Sequence, residues 1–403
     1  MQPASQVEKT RQVRPNSGDL LLLATVIALA VFGLLMLFSA STDFSLLLYD
    51  SPTYMFVKQL ISMALGGLLA FILARTDYHL WRRYAVPAMA VTIFLLIAVL
   101  INNEARFGAV RSLFGGSVQP SELAKLVTVI YLSIWLYSKR EHLHDVQLGL
   151  IPLAIILGIV GGLIYIQPDL SATATVFILG GLLFFLSGGD LRQIVFFLIA
   201  AIAVGWLVVQ FSPTGRERIA SYILGLKDPL QAEYQLRRSL QAIVNGGWFG
   251  VGIGRATTKL TGLPVPPTDS IFAVIAEELG LFGAASLIGL YALLLWRGLR
   301  ISSKAPDSLG SLLAAGLTIW IVMEAFINMA VMVGLFPFAG NALPFISAGG
   351  SNLVSSLAAI GILMNISRQA EKNVPTEEWR SYSATADLRR RNRRRRLSRA
   401  RRA

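Results

Sequence analysis

The acidic residue with the most distinctive setting is Asp269. It ends a stretch, residues 263–269, that contains Pro264, Pro266 and Pro267, and an apolar block follows at once. Proline restricts φ, so three prolines hold this backbone in a defined path. A carboxylate there would lie at the water–lipid boundary, facing any outward cavity. Position alone equally allows Thr268 or Asp269 to be the N-cap of the following helix.

Glu122 and Lys125 are a second candidate pair. Their i, i+3 spacing puts them on one face of a helix and lets them pair. A local alternative makes Ser121 the helix N-cap with Glu122 in the first turn. That alternative leaves a lysine in the turn that enters the membrane without a reason. The spacing therefore favours an ion pair at the membrane edge that lines a cavity.

Basic residues in two segments, 102–122 and 212–270, could bind an anion. The guanidinium fork donates two hydrogen bonds to phosphate oxygens, so a lipid-linked pyrophosphate would suit them. The alternative is that these charges are only solvated. The candidates for anion binding are Arg106, Arg216, Arg218 and Arg255.

Several other chemistries find little support. The chain has no cysteine, which excludes disulfides, thiolate metal sites and cysteine nucleophiles, and its 3 histidines leave little for a metal centre. No carboxylate cluster demands a metal, although Mg²⁺ or Mn²⁺ could share the charge of a pyrophosphate. The glycine run 245–254 follows no predicted strand and precedes no Lys-Ser/Thr pair, which disfavours nucleotide binding. It and residues 343–351 indicate irregular turns that approach other backbone closely.

The elements that must position these residues are membrane helices. Hydrophobic residues make up 54% of the 403 residues and charged residues 15%, whereas soluble domains carry about 25% charged residues. The apolar residues form blocks near the roughly 20 residues that cross a bilayer. We therefore predict an all-α polytopic membrane protein with about ten transmembrane helices. The blocks are 20–40, 56–74, 84–102, 123–138, 149–166, 171–187, 191–211, 271–296, 309–334 and 346–366.

The basic loops predict the orientation. With the N-terminus inside, every short inside loop carries Lys or Arg, and an even number of helices puts both termini in the cytoplasm. The last segment holds ten arginines between Arg389 and Arg402; it favours disorder on anionic lipid over nucleic-acid binding, because no aromatic residues interleave. The predicted parts are a cytoplasmic segment 1–18, a membrane domain 19–368 with a large extracellular loop 212–270 between helices 7 and 8, and a basic tail 369–403.

Five stretches together resemble the SEDS family of bacterial polytopic proteins (FtsW, RodA and SpoVE). They occur in the family's order, the surrounding helices extend the likeness over residues 20–368, and residues 234–247 are more similar to the FtsW/SpoVE branch than to RodA. The stretches are Gln119-Pro-Ser-Glu-Leu-Ala-Lys125, Gln167-Pro-Asp-Leu170, the glycine run 245–254, Thr268-Asp269 with 271–280, and 343–351.

The resemblance implies a peptidoglycan glycosyltransferase that polymerises lipid II at the outer face of the inner (cytoplasmic) membrane, in division at the septum. It implies that Asp269 is the catalytic carboxylate and that Glu122 and Lys125 belong to the functional cavity. It also implies a class B penicillin-binding protein, a transpeptidase, as partner, alongside other division proteins.

On this hypothesis Asp269 takes a proton from the 4-hydroxyl of the acceptor sugar, and undecaprenyl pyrophosphate leaves the donor glycan. Arg216, Arg218 and Arg255 would stabilise the charge on the leaving group. A lipid II flippase is a rival, since charged groups inside a helical bundle also mark transport paths, but no clear inverted repeat supports it. A non-catalytic division scaffold is a third interpretation.

Overall fold

The computed structural model describes residues 18–102, 118–211, 213–337 and 339–372, and these contain no β-strand. They fold almost entirely into helices joined by short turns. The helices are α1 (Leu20–Tyr49), α2 (Tyr54–Arg75), α3 (Trp81–Asn102), α4 (Pro120–Lys139), α5 (Ile151–Ile166), α6 (Leu170–Leu186), α7 (Leu191–Phe211), α8 (Pro213–Lys227), α9 (Tyr234–Gly246), α10 (Ile271–Ser303), α11 (Ser308–Met332) and α12 (Gly350–Lys372).

Ten of these helices, α1–α7 and α10–α12, match the ten apolar blocks. Within the described ranges, 7 helices are long and apolar enough to cross a membrane by length and composition. The remaining three, α4, α6 and α7, are more polar or shorter, but they pack into the same bundle, with α4 against α3, α6, α11 and α12. Large apolar side chains face outward, among them Val31, Phe94 and Ile202 at 60%, 68% and 71% exposure. A surface of this kind needs lipid around it, and the predicted fold class is confirmed.

The two described ends of the chain lie together at one end of the bundle. A Cβ on Gly18 would be 3.0 Å from Cγ of Arg368. Beside it, the Arg297 guanidinium pairs with Asp19 at 2.5 Å, and Arg368 donates to the carbonyl oxygen of Ala74 at 3.2 Å. An even number of crossings requires this arrangement. We call this the inner end, following the predicted orientation, and the opposite one the outer end.

The outer segment, residues 212–270, was predicted as one large loop, and it contains two helices, α8 and α9. Helix α9 packs on α10 and α11 through Gln235, Ser239, Ala242 and Gly246, which recur on one face. Several boundaries also differ from the prediction: α1 continues to Tyr49 and α10 to Ser303, and the last helix runs from Gly350 to Lys372 because residues 343–349 form a loop.

Helix α10 is broken at Gly280, where the backbone has φ 67° and ψ −167°. The glycine run pairs with the backbone groups around this break. Val251 N–H donates to the carbonyl of Glu277 and Gly252 N–H to that of Glu278, both at 3.0 Å. In return, Leu281 N–H donates to the carbonyl of Gly247 at 2.9 Å. The outer segment therefore satisfies polar groups that a break in a membrane helix would otherwise leave without partners.

The pairing requires glycine on the side of the outer segment. A Cβ on Gly246 would lie 2.0 Å from the Ala276 carbonyl oxygen, and one on Gly250 would lie 2.2 Å from that of Glu278. The close approach predicted for the glycine run is confirmed. Between these glycines, Trp248 is 66% exposed, as an aromatic residue at the membrane–water interface would be.

We predict that Gly280→Ala lowers the thermal unfolding midpoint of the detergent-solubilised protein. The backbone conformation at Gly280 is essentially restricted to glycine, which costs other residues about 1–3 kcal/mol, and a Cβ would lie 2.4 Å from the nitrogen of Gly250. Gly289→Ala in the same helix is the control, since its Cβ would meet no atom within 4 Å. Equal midpoints for the two variants would contradict this account of the break.

Candidate active site

The proline-rich stretch holds Asp269 just before α10. The N-cap of α10 is Ser270, not Thr268 or Asp269, and it makes no side-chain cap bond. Its hydroxyl instead donates to the carbonyl of Pro264 at 2.7 Å and accepts from Nε2 of Gln235 in α9 at 2.7 Å. The capping alternative is therefore excluded for Asp269. Its side chain is half-buried and thus accessible.

The loop before α12 clamps the same stretch from the other side. The hydroxyl of Ser347 donates to the carbonyl of Thr268 at 2.6 Å, and Ala348 N–H donates to that of Pro267 at 2.8 Å. Close by, a Cβ on Gly340 would lie 3.0 Å from Oδ2 of Asp269. The carboxylate thus faces a part of the 339–349 loop where glycine leaves room for it.

Glu122 and Lys125 form the predicted ion pair, with Nζ 2.9 Å from Oε1 of Glu122. Lys125 also pairs with Glu324 of α11. Asn352 of α12 bridges the two carboxylates, at 2.9 Å from Glu122 and 3.2 Å from Glu324. Trp320 donates to Glu324 at 2.8 Å. We call Glu122, Lys125, Glu324 and Asn352 the central cluster.

The central cluster is enclosed, whereas the sequence led us to expect a pair that lines a cavity. The side chains of Lys125, Glu122 and Glu324 are 4%, 9% and 2% exposed. Helices α11 and α12 cover the pair, and they supply its additional partners Glu324 and Asn352. Similarly, the N-cap of α4 is Gln119 rather than Ser121. In this structure the ion pair joins α4, α11 and α12, and a role for Glu122 and Lys125 in substrate binding stays a prediction.

Asn328 links the central cluster to Asp269. It lies four residues after Glu324 in α11, which is roughly 6 Å along the helix axis. Its Nδ2 donates to the backbone carbonyl of Asp269 at 3.0 Å and to that of Asn341 at 2.6 Å. The buried charges thus lie about one helical turn below the group that fixes the Asp269 backbone.

A second pair of buried acids, Glu277 and Glu278, binds the outer segment through hydrogen bonds and an ion pair. Glu277 accepts hydrogen bonds from the backbone N–H groups of Thr257 and Thr258, at 3.1 and 3.3 Å, and from both threonine hydroxyls. Glu278 pairs with Lys259 at 2.9 Å. It also accepts from the hydroxyl of Ser39 in α1 at 2.6 Å. Both carboxylates are fully buried, so the outer segment supplies most of the donors that they need.

Sequence reasoning assigned no role to Glu324, Glu277 or Glu278, although each was recognisable as an acid inside or near an apolar block, which is a costly place for a charge. Their partners were not recognisable. Lys259 was one of many basic residues in a long segment, and Asn352 carries no charge.

The predicted arginines lie in three settings. Arg216 and Arg255 are exposed, on α8 and just after the glycine run, and Arg218 is half-buried on α8. Burial raises the pKa of the Glu233 carboxyl. The nearby Arg218 guanidinium acts to lower this pKa, but burial has the larger effect. Arg106 lies outside the described residues. The role of these four arginines in anion binding stays a prediction.

In the described ranges, no group of three or more His, Asp or Glu side chains could hold a metal ion. At Glu122 and Glu324, Lys125 pairs with both carboxylates and supplies the neutralising charge. The described residues therefore do not fit a divalent cation held by the protein alone.

We predict that Lys125→Met destabilises the protein by about 3–5 kcal/mol, because two buried carboxylates lose their counter-charge. Lys139→Met is a matched control, since Lys139 lies at the exposed far end of the same helix. Adding Glu122→Gln to Lys125→Met should recover part of the loss by removing one uncompensated charge. Thermal unfolding in detergent measures all three variants, and a double variant no more stable than Lys125→Met would reject this reading.

Comparisons with known proteins agree with this architecture. The family model described as cell cycle protein (FtsW, RodA, SpoVE) matches residues 19–372. A protein of Trichlorobacter lovleyi named probable peptidoglycan glycosyltransferase FtsW is 38% identical, over 87% of this chain and 93% of the relative. Stage V sporulation protein E of Bacillus subtilis is 36% identical, over 88% and 98%.

A solved structure has the same fold. It comes from work on the structural coordination of polymerization and crosslinking by a peptidoglycan synthase complex, and it superposes with a TM-score of 0.73 at 27% identity. The match covers 89% of this chain and 99% of that chain. The resemblance found in the sequence motifs is thus confirmed, and the chain belongs to the FtsW, RodA and SpoVE family of cell cycle proteins.

Proposed function

We propose that this chain is a peptidoglycan glycosyltransferase that polymerises lipid II at the outer face of the cytoplasmic membrane, with Asp269 as its general base. The observation that carries the proposal is one half-buried carboxylate at the outer end of the bundle. Its own backbone carbonyl is bound by α11, and its neighbours Ser270 and Thr268 are bound by α9 and by the loop before α12. The names of the relatives support the reaction class.

The reaction requires one proton transfer and one displacement. The Asp269 carboxylate accepts the proton of the 4-hydroxyl of the acceptor sugar in lipid II. The oxygen attacks the anomeric carbon of the donor glycan, and the bond to undecaprenyl pyrophosphate breaks. The proton then passes from Asp269 to water. General base assistance of this kind contributes about 10²–10⁴-fold in rate.

A single carboxylate is enough for this chemistry. Pyrophosphate is a good leaving group and needs little help from an acid, unlike the alcohol that leaves in the two-carboxylate glycosidases. Arg216, Arg218 and Arg255 belong to the same outer segment as Asp269, and Arg106 belongs to the other predicted outer segment. Guanidinium groups there would stabilise the negative charge that develops on the pyrophosphate.

The clamps around Asp269 support a base rather than a flexible surface acid. A general base works only within about 2.6–3.2 Å of the proton that it takes, and a misplacement of about 1 Å can cost 100-fold in rate. Hydrogen bonds to the carbonyls of Pro267, Thr268 and Asp269 reduce the freedom of the backbone at this position.

A crosslinking enzyme is the partner that we propose, specifically a class B penicillin-binding protein acting at the division septum. The basis is the similar chain in a synthase complex that coordinates polymerization with crosslinking, together with relatives named for division and sporulation. New glycan strands made at the outer face would then pass directly to a transpeptidase.

We predict that Asp269→Asn abolishes polymerisation of lipid II by the purified protein in detergent, with a loss of at least about 100-fold. The amide keeps the size of the side chain but cannot take the proton. Asp228→Asn is the matched control. Asp228 is a half-buried acid of the same outer segment, and its carboxylate accepts hydrogen bonds from near neighbours in the chain, the backbone N–H of Leu230 and Nε2 of Gln231. An amide oxygen can also accept the bond from Leu230.

Glycan length on gels and release of undecaprenyl pyrophosphate measure the outcome. An Asp269→Asn protein that makes polymer at the rate of wild type would reject the catalytic role. Movement of lipid II across vesicle membranes without polymer, by wild type and variant alike, would instead favour a flippase.

A further inference from the structure

An open groove of about 590 Å³ runs along the outer half of α1. This volume is in the range of about 300–1,000 Å³ found for small-molecule sites. The first wall is the lipid-facing side of α1, the second is the turn after the glycine run, and Phe56 of α2 closes one side. The residues that the argument uses are Leu35, Phe38, Ser39, Phe56, Gly254 and Lys259.

The floor of the groove is electrically neutral, and most of the wall residues are apolar, with Thr42 and Asp43 as the polar exceptions. Lys259 on the floor donates to Glu278 at 2.9 Å and to the backbone and side-chain oxygens of Ser39 at 3.0 and 3.1 Å. A lysine with these partners has no spare donor for a charged guest. On the α1 wall, Leu35 and Phe38 are 45% and 48% exposed, so the groove suits a hydrocarbon chain.

The floor of the groove lies deeper along the bundle than Asp269, since Lys259 on the floor pairs with Glu278. Glu278 follows Asp269 by nine residues, which corresponds to roughly 13 Å along a helix. Half of a bilayer's hydrocarbon core is about 15 Å thick. If Asp269 lies at the outer water–lipid boundary, the floor lies within the hydrocarbon of the outer leaflet, and the groove opens along α1 toward lipid.

An exposed arginine is the next residue in the chain after the lining of the groove. Arg255 is exposed and directly follows Gly254 of the lining, so their Cα atoms are about 3.8 Å apart. Guanidinium groups bind phosphate oxygens in a bidentate manner. The acid Asp43 lies on the opposite, α1 wall and is exposed to water. A chain that carries a phosphate group would thus meet Arg255 where it leaves the groove.

One layer of side chains separates the groove from the Asp269 loop. Phe56 of the groove lies three residues before Gln59 in α2, and Gln59 donates to the carbonyl of Ser347 at 3.0 Å. Ser347 in turn donates to the carbonyl of Thr268. The groove is therefore close to the proposed catalytic base without including it.

We propose that this groove holds the polyprenyl chain of a lipid-linked sugar diphosphate, with the diphosphate at Arg255. The proposal rests on the proposed function, since it names where one of the two lipid substrates keeps its tail. The apolar walls would also fit an acyl chain of an ordinary phospholipid. A phospholipid carries a single phosphate, which gives no reason for it to bind in preference to other lipids. The experiment distinguishes a lipid-linked diphosphate from a phospholipid.

Photocrosslinking tests the proposal directly. p-Benzoylphenylalanine replaces Leu35 in the full chain, and the control places it at Val31, which faces lipid one turn earlier in the same helix and does not line the groove. We expect crosslinks to fluorescent lipid II at position 35 well above those at position 31. Excess undecaprenyl pyrophosphate should compete, and equal phosphatidylglycerol should not.

Equal crosslinking at both positions, or equal competition by phosphatidylglycerol, would overturn the proposal. The first outcome would mean that no lipid binds selectively in the groove, and the second that it is a general phospholipid site. Crosslinking does not depend on turnover. If position 35 crosslinks selectively while the wild-type protein makes no polymer, the proposed function is therefore rejected and the lipid site is kept.

Kinetics supply the second measurement. Leu35→Trp fills part of the groove and should raise KM for lipid II about tenfold, since some apolar contact with the chain is lost. The value of kcat should change little, because Asp269 and its clamps are untouched. Val31→Trp should leave both constants near those of wild type. Identical KM values for the two variants in an active protein would reject the groove and leave the glycosyltransferase intact.

Discussion

The need of buried carboxylates for hydrogen-bond donors shapes the outer half of this protein. Glu277 and Glu278 lie side by side in α10 and are fully buried. An ionised carboxylate without partners in such a place costs many kcal/mol. Thr257, Thr258 and Lys259 supply the partners, and all three belong to the outer segment. The segment is thereby bound to the membrane bundle at one level.

The break at Gly280 also binds the outer segment to the membrane bundle. A helix interrupted inside a bundle exposes carbonyl and N–H groups that lipid cannot satisfy, and the backbone of residues 247–252 satisfies them here. Side-chain and main-chain requirements of α10 are therefore both met by the outer segment. Because its residues 257–259 are held in this way, the proline-rich stretch that follows has little freedom, and it reaches Asp269 along a restricted path.

Local patterns predicted much of this structure. Apolar blocks located the ten membrane helices, the i, i+3 spacing identified the Glu122–Lys125 pair, and the glycines indicated a close approach. These features depend on residues near one another in the chain. The partners Glu324 and Asn352 come from helices more than 190 residues away, and such pairing depends on how the helices pack, which no local pattern encodes.

The outer segment shows a different limit of the same reasoning. Its charges and length predicted a loop, but α9 forms because Gln235, Ser239, Ala242 and Gly246 recur on one face. Those residues are small or polar. Beside them, Leu236, Leu240 and Ile243 recur at i, i+4 and i+7 as a half-buried apolar stripe that the prediction of a loop did not use. The small and polar face meets α10, where Gln235 reaches Ser270 and Gly246 allows backbone contact. Close packing and the apolar stripe together explain this helix.

The two ionic clusters fix the positions of the helices more than they add to the free energy of unfolding. Replacing a buried ion pair by apolar residues is often neutral or stabilising, whereas removing one partner is strongly destabilising. A cluster that tolerates no partial loss fixes which helices meet and in which register. The central cluster joins α4, α11 and α12 below Asp269, and the Lys259–Glu278 pair joins the outer segment to α10 and α1. A carboxylate that is to take the proton of a sugar hydroxyl must be held within about 2.6–3.2 Å of it, which requires geometry of this kind. Membrane burial makes each misplaced charge costly enough to enforce that geometry.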